Sequence, residues 1–210
     1  MIVPSIRNVT FIGSFLLWLI AGCTGRPSRI KPPVIDPDKA GQMAIAQYDA
    51  DADGALSAEE LDQCPGIKRA TAIYDTNSDQ SVSAGEIAER IRTWQDSKVG
   101  IMSMACTVRL DGLPLEGATV QFIPERYLSE AVKPASGTTD MSGRATISVT
   151  DADLSEDQKG LVGVHVGVYK VQVTHPERSI PSKYNTDTNL GQEVAQDNPD
   201  MINMSVVFDL

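Results

Sequence analysis

In the run DADADGALSAEE, from Asp49 to Glu60, oxygen-bearing groups recur at the intervals a hard cation needs. Calcium takes oxygens at about 2.3–2.6 Å, and a twelve-residue loop delivers them from positions 1, 3, 5, 7, 9 and 12 around a sharp turn at position 6. Asp49, Asp51 and Asp53 stand first, third and fifth, and Gly54 supplies the positive φ of the turn. Ala55 offers its carbonyl seventh, Ser57 its hydroxyl ninth, directly or through water, and Glu60 a bidentate carboxylate at the close. A solvated acidic turn is the ordinary fate of such residues, but it makes no demand on position. Here every positional demand is met.

The pattern returns as DTNSDQSVSAGE, with Asp75, Asn77, Asp79, the Ser81 carbonyl, Ser83 and Glu86 in the ligand places. This second loop departs at its turn, where Gln80 replaces glycine and must take a left-handed backbone costing on the order of 1 kcal/mol. It also has Asn77 where the first loop has a carboxylate. Two calcium sites are therefore expected, the first tighter. Leu56 and Val82, each eighth in its loop, are placed to join the two through a short β-bridge. The repeat resembles the EF-hand, and more the compact EF-hand pairs of exported bacterial proteins than calmodulin. A sensor groove is rich in Met and Phe, whereas residues 39–96 offer only Met43 and Trp94. The resemblance implies calcium that stabilises a fold more than calcium that triggers a switch.

Helices must hold these loops, and the periodicity predicts four: KAGQMAIAQY, SAEELDQ, IKRATAIY and AGEIAERIRTWQ, with Cys64-Pro65-Gly66 breaking the middle. Ile45 and Tyr48 before the first loop, and Leu61 after it, fall at core-facing spacing. From about Met102 the pattern changes to period-two alternation with Gly, Asp and Pro turns, so helices give way to strands near Val99-Gly100. The fold class expected is α+β and multidomain, a small helical pair over residues 39–98 followed by an antiparallel β-sandwich over residues 102–210.

Ahead of these lies a short apolar run, Val9 to Ile20, too short for a bilayer span, which needs about 20 residues. With Arg7 before it and Ala21-Gly22-Cys23 after it, it reads as an export signal, residues 1–22. The ending Ile20-Ala21-Gly22-Cys23 resembles the bacterial lipobox, which implies lipidation of Cys23 and a stable membrane anchor. Residues 23–38, rich in proline, then read as an extended tether. Export would permit disulfides, so Cys64 and Cys106 are either a bridge, contributing roughly 3–4 kcal/mol, or two buried free thiols. The net charge of -10, with 28 acidic against 18 basic residues, argues against a nucleic-acid partner.

In the strand-rich half, Val108 and Leu110 alternate with Thr107 and Arg109, and Val120 and Phe122 with Thr119 and Gln121. The phrases VRLDGLPLEGATVQFIPE, SGTTDMSGRATIS, GVYKVQV, IPSKYN and VVFDL resemble the carboxypeptidase regulatory-like, transthyretin-like (prealbumin-like) domain of bacterial surface lipoproteins. The resemblance covers about half the chain and implies a sandwich whose quoted residues build turns and core. Hydroxyisourate hydrolases share this general fold but use clustered His and Arg with a terminal YRGS-like motif. This chain ends SVVFDL and offers only His165 and His175, each expected to be a surface or loop residue. The expectation is a calcium-binding, lipid-anchored envelope protein, facing the periplasm or cell surface, with a structural or adhesive role and no catalysis. Its partners would be the membrane and an envelope protein or glycan. A dockerin-like assembly module is the alternative, with a hydrolase behind it.

Overall fold

The computed structural model describes residues 30–156, 158–201 and 203–210. Cys23 and the expected signal segment lie outside the described residues. Of the expected tether, the part from Ile30 onward lies along the body instead of standing free: Ile35 is buried and its carbonyl accepts from Gln95 Nε2 at 2.7 Å.

Helix α1 (Pro37–Tyr48) starts where Asp36 caps it, accepting from the Lys39 N–H at 3.1 Å, with Pro37 in the first turn where its missing N–H costs nothing. The first loop carries β1 (Ala55–Leu56). The helix expected over SAEELDQ shrinks to one 3-10 turn, Glu60–Gln63, because Cys64 precedes Pro65 and is pushed out of the helical region, to φ -125 and ψ 67. Pro65 and Gly66 do not break the chain's helicity; they open α2 (Pro65–Arg69), with the proline again in the first turn. A kink at Ala70 separates α2 from α3 (Thr71–Tyr74). The second loop holds β2 (Val82–Ser83), and Ser83 and Glu86 then form a reciprocal capping box that launches α4 (Ala84–Ser97).

The remainder is strand: β3 (Ile101–Met102), β4 (Met104–Leu110), β5 (Leu113–Pro114), β6 (Thr119–Pro124), β7 (Ala135–Thr138), β8 (Arg144–Val149), β9 (Val164–His165), β10 (Gly167–Thr174), β11 (Gly191–Val194) and β12 (Ser205–Asp209). The chain is thus an α+β protein in which helices precede one large curled sheet of order β11-β10-β6-β7-β8-β4-β12, with β5 on β4 and a separate β3-β9 pair. Its ladders are antiparallel except the last, where β12 runs parallel to β4, a pairing that turn chemistry alone does not announce.

The curl comes from β8. Its residues from Arg144 to Ile147 pair with β4, while Ser148 and Val149 pair with β7, so the strand passes from one half of the sheet to the other. As a result Phe122 of β6 and Phe208 of β12, far apart along the sheet, meet edge to face at 6.2 Å. Alternation is kept where one face meets water: Val120 and Phe122 are buried while Gln121 and Ile123 are exposed. On β11 it fails, and Gln192 and Glu193 are as buried as Val194, because α2 covers its other side.

That cover is close. A Cβ on Gly191 would land on the Gly66 nitrogen and the Pro65 carbonyl carbon, so α2 lies backbone against backbone on β11. One continuous apolar core runs from Ala44, Ile67 and Ile91 of the helices to Val171 and Phe208 of the sheet. The expected two modules share it. Of the two readings left open for Cys64 and Cys106, the structure has the second: both are buried free thiols. Cys64 turns its Sγ to Glu125 at 3.6 Å, and Cys106 points into the core from β4, where burial pushes its thiol up to about 12.

Candidate metal centre

The two acidic loops adopt one conformation, set by side chains that accept from their own backbone. In the first, Asp49 accepts from the N–H of Ala52 at 2.7 Å and of Gly54 at 2.9 Å, Asp51 from Asp53 at 3.1 Å, and Asp53 from Ala55 at 2.9 Å. Glu60 reaches back to the N–H of Ala50 at 2.6 Å and of Ser57 at 2.8 Å. In the second, Asp75 accepts from Asp79 at 3.1 Å and Gln80 at 3.0 Å, Asn77 from Asp79 at 2.9 Å, and Asp79 from Ser81 at 2.9 Å. Glu86 reaches back to Thr76 and Ser83, both at 2.9 Å. The side chains at positions 1, 3, 5 and 12 accept in both loops; the donors agree except that the first aspartate takes the N–H of the fourth residue, Ala52, in one loop and of the fifth, Asp79, in the other.

The turns agree as well. Gly54 has φ 95 and Gln80, as expected, is driven to φ 72. Ala52 and Ser78, fourth in their loops, are both left-handed at φ 61. Sequence reasoning missed these two, since neither alanine nor serine is a residue that signals positive φ. Leu56 lies opposite Val82 and Ala55 opposite Ser83 in the antiparallel β1-β2 pair, both Leu56 and Val82 fully buried.

The carboxylate oxygens of Asp49, Asp51 and Asp53 lie within 4.8 Å of one another, a group that could hold a metal ion. Asp51 is pushed up: a bond from the Asp53 N–H holds it down, but crowding by the Asp53, Glu60 and Asp49 carboxylates wins. A divalent cation would relieve that crowding. Glu60 is held down at about 2 by the N–H groups of Ser57 and Ala50 and by the Ser57 hydroxyl. Glu86 is also lowered, the bonds from Ser83 and Thr76 overcoming its partial burial. In the second loop Ser81 and Asn77 hold Asp79 down. The donor set, all oxygen and mostly anionic, fits calcium better than softer metals.

Behind each loop stands a buried glutamate that the sequence did not single out. Tyr48, the residue before Asp49, donates its hydroxyl to Glu125, just past β6. Tyr74, the residue before Asp75, donates to Glu193 of β11 at 3.2 Å. Glu193, fully buried, also receives Arg90 Nε at 2.6 Å and Nη2 at 3.0 Å, Trp94 Nε1 at 3.0 Å and Asn198 Nδ2 at 3.1 Å. Arg90 meets Asp197 through its outer nitrogens at 2.7 and 2.8 Å. The one signal available in sequence was a tyrosine immediately before each loop.

Beside the first loop a cavity of about 510 Å³ opens against the sheet, lined by Tyr48, Gln63, Glu125, Lys170 and Gln172 among others. The two histidines are tied to backbone. His165 is buried, not a surface residue, and its Nδ1 accepts from the Lys133 N–H at 3.3 Å, with burial and Lys133 holding its pKa down. His175 pins its own turn, Nδ1 accepting from the N–H groups of Glu177 and Arg178, each at 3.0 Å.

No family model, no curated protein and no solved structure matches the chain. No described helix is long and apolar enough to cross a membrane.

Proposed function

We propose that this is a calcium-binding protein of the EF-hand-pair type joined to a transthyretin-like β-sandwich, lipid-anchored through Cys23 in the cell envelope, with a structural or adhesive role and no catalysis. The observation that carries the calcium reading is the duplicated set of side-chain-to-backbone bonds in two loops joined across Leu56 and Val82. Local bonding of this kind in one loop is an ordinary acidic turn; recurrence of the same four acceptor positions, 1, 3, 5 and 12, in a second loop is not. Asp49, Asp51, Asp53, the Ala55 carbonyl, Ser57 and Glu60 would hold the first ion, and Asp75, Asn77, Asp79, the Ser81 carbonyl, Ser83 and Glu86 the second. The ions would neutralise the loops and stabilise the helical part.

The sandwich reading rests on the strand that changes partners and on the Phe122–Phe208 contact between sheet halves. A non-catalytic role is supported by the engagement of both histidines with backbone N–H groups. A dockerin-like role would use the helical pair as its recognition surface, and α2, between the two loops, is packed on β11. The cavity beside Tyr48 has a mixed lining, in which Gln63, Lys170 and Gln172 offer hydrogen-bonding groups to a glycan beside the apolar Ile123 and Pro124.

Calorimetric titration of the chain with calcium tests the central claim. Heat is expected, and calcium at about a hundred times Kd should add roughly 2.7 kcal/mol of stability. Absence of heat, together with an unchanged Tm in calcium for Asp49→Ala with Glu60→Ala, would sink it.

A further inference from the structure

Each loop is gripped on both flanks by one carboxylate from the sheet. Glu125 receives the Tyr48 hydroxyl from the end of α1, which enters the first loop, and the Cys64 thiol from just beyond the turn that leaves it. Glu193 receives the Tyr74 hydroxyl from the end of α3, which enters the second loop, and Arg90 and Trp94 from α4, which leaves it. The two acceptors sit on strands β6 and β11 or at their ends, the neighbours of β10 on either side. Both carboxylates are buried, with relative exposures of 3% and 0%.

We infer that Glu125 and Glu193 are positioning residues for the calcium loops, one for each, so that the sheet sets how tightly each loop binds its ion. This rests on the calcium reading above. A tyrosine hydroxyl fixed on a buried carboxylate fixes the backbone of the next residue, which is the first ligand of the loop. The same carboxylate fixes the element that follows the last ligand. The angle between entry and exit is therefore held before the ion arrives, and binding does not have to supply that order. A buried carboxylate is costly to leave short of donors, so the grip is not given up lightly. The plain alternative, two buried tyrosines that happen to find acceptors, explains either contact alone. It does not explain the same loop position in both repeats with acceptors 77 and 119 residues away. Linkage makes the relation reciprocal: calcium in a loop must also steady the strand end that carries its glutamate.

The test assigns each tyrosine to its loop. Tyr48→Phe and Tyr74→Phe remove one hydroxyl each and keep the ring, and calorimetry with calcium is run in full-length chains in which the other loop is silenced by Glu60→Gln or Glu86→Gln. Tyr48→Phe should weaken the first site about fivefold, the low end of a typical coupling, and the second by less than twofold; Tyr74→Phe should do the reverse. A general loss of stability would move both sites together, and that result, or no change at either site, overturns the inference while leaving calcium binding intact. Glu125→Ala should weaken the first site, and Glu125→Gln, which keeps an acceptor for Tyr48, should recover most of the loss. Hydrogen exchange on the unmutated chain gives a reading that needs no variant: calcium should slow the amides of β6 and β11. Unchanged exchange there despite calcium heat would reject the coupling. No calcium heat at all would reject the loop reading and this one with it.

Discussion

Gln80 spends backbone energy that Gly54 does not. Both donate their N–H to the second oxygen of the first aspartate of their loop, at 3.0 and 2.9 Å, but Gln80 does so from φ 72 with a side chain that glycine lacks. Gln80→Gly should therefore raise the denaturant midpoint, by about 1 kcal/mol of stability, and tighten calcium at the second loop severalfold in the same titration. An unchanged midpoint would mean the loop is not strained there. The turns of the two loops were legible because their acidic side chains bond to backbone a few residues away, so spacing alone describes them. Ala52 and Ser78 were not legible, since their left-handed turns are imposed by neighbours. Tyr48 was legible as a core residue, but neither it nor Tyr74 was legible as a donor, because spacing carries no information about a glutamate more than seventy residues on.

Elements were readable where a pattern was long. Helix α4, with its capping box, and strands β4, β6, β10 and β12 stand close to where periodicity put them. Strand β7, Ala135–Thr138, was missed because ASGT has neither bulk nor alternation, and its strand character is imposed by the ladder to β6. In the phrase VRLDGLPLEGATVQFIPE, Leu113 is 70% exposed while Leu115 fills the core. The contact between α2 and β11 could not be read at all, since glycine at 66 and 191 looks the same whether it serves a turn or a close approach. Its test is Gly191→Ala: the added methyl meets Gly66 and Pro65 backbone, which cannot rotate away. A loss of about 3 kcal/mol or more is expected in chemical denaturation, at the top of the usual overpacking range. A loss under about 1 kcal/mol would show that α2 can lift from the sheet at little cost.

At the scale of the whole molecule, the seam between helices and sheet holds buried charge. Glu125 is pushed above its ordinary value of 4.5 by burial, against the pull of the Tyr48 hydroxyl and Lys170. A carboxyl with a raised value in the fold favours the folded chain when protonated. Its contribution is full below about pH 4.5 and is lost as pH rises through the folded value. Against Glu125→Gln, which cannot ionise, the unmutated chain should lose relative stability from pH 4.5 upward, read by denaturation at stepped pH in the absence of calcium. A difference that stays flat with pH would show that the carboxyl ionises in the fold as freely as in the unfolded chain. That the chain holds helices and then a sheet was plain from the change of period near Val99; that the two share one core was not, because both halves carry enough apolar residues to suggest cores of their own.

The five donors on Glu193 also impose an order of events during synthesis. Arg90 is made 103 residues before the carboxylate that neutralises it in the interior. At about 5–20 residues per second that is a wait on the order of 5–20 s. Until β11 emerges, α4 has a guanidinium on its inner face with no buried carboxylate from the sheet to receive it, so the segment that carries both loops is completed by one of the last strands of the chain.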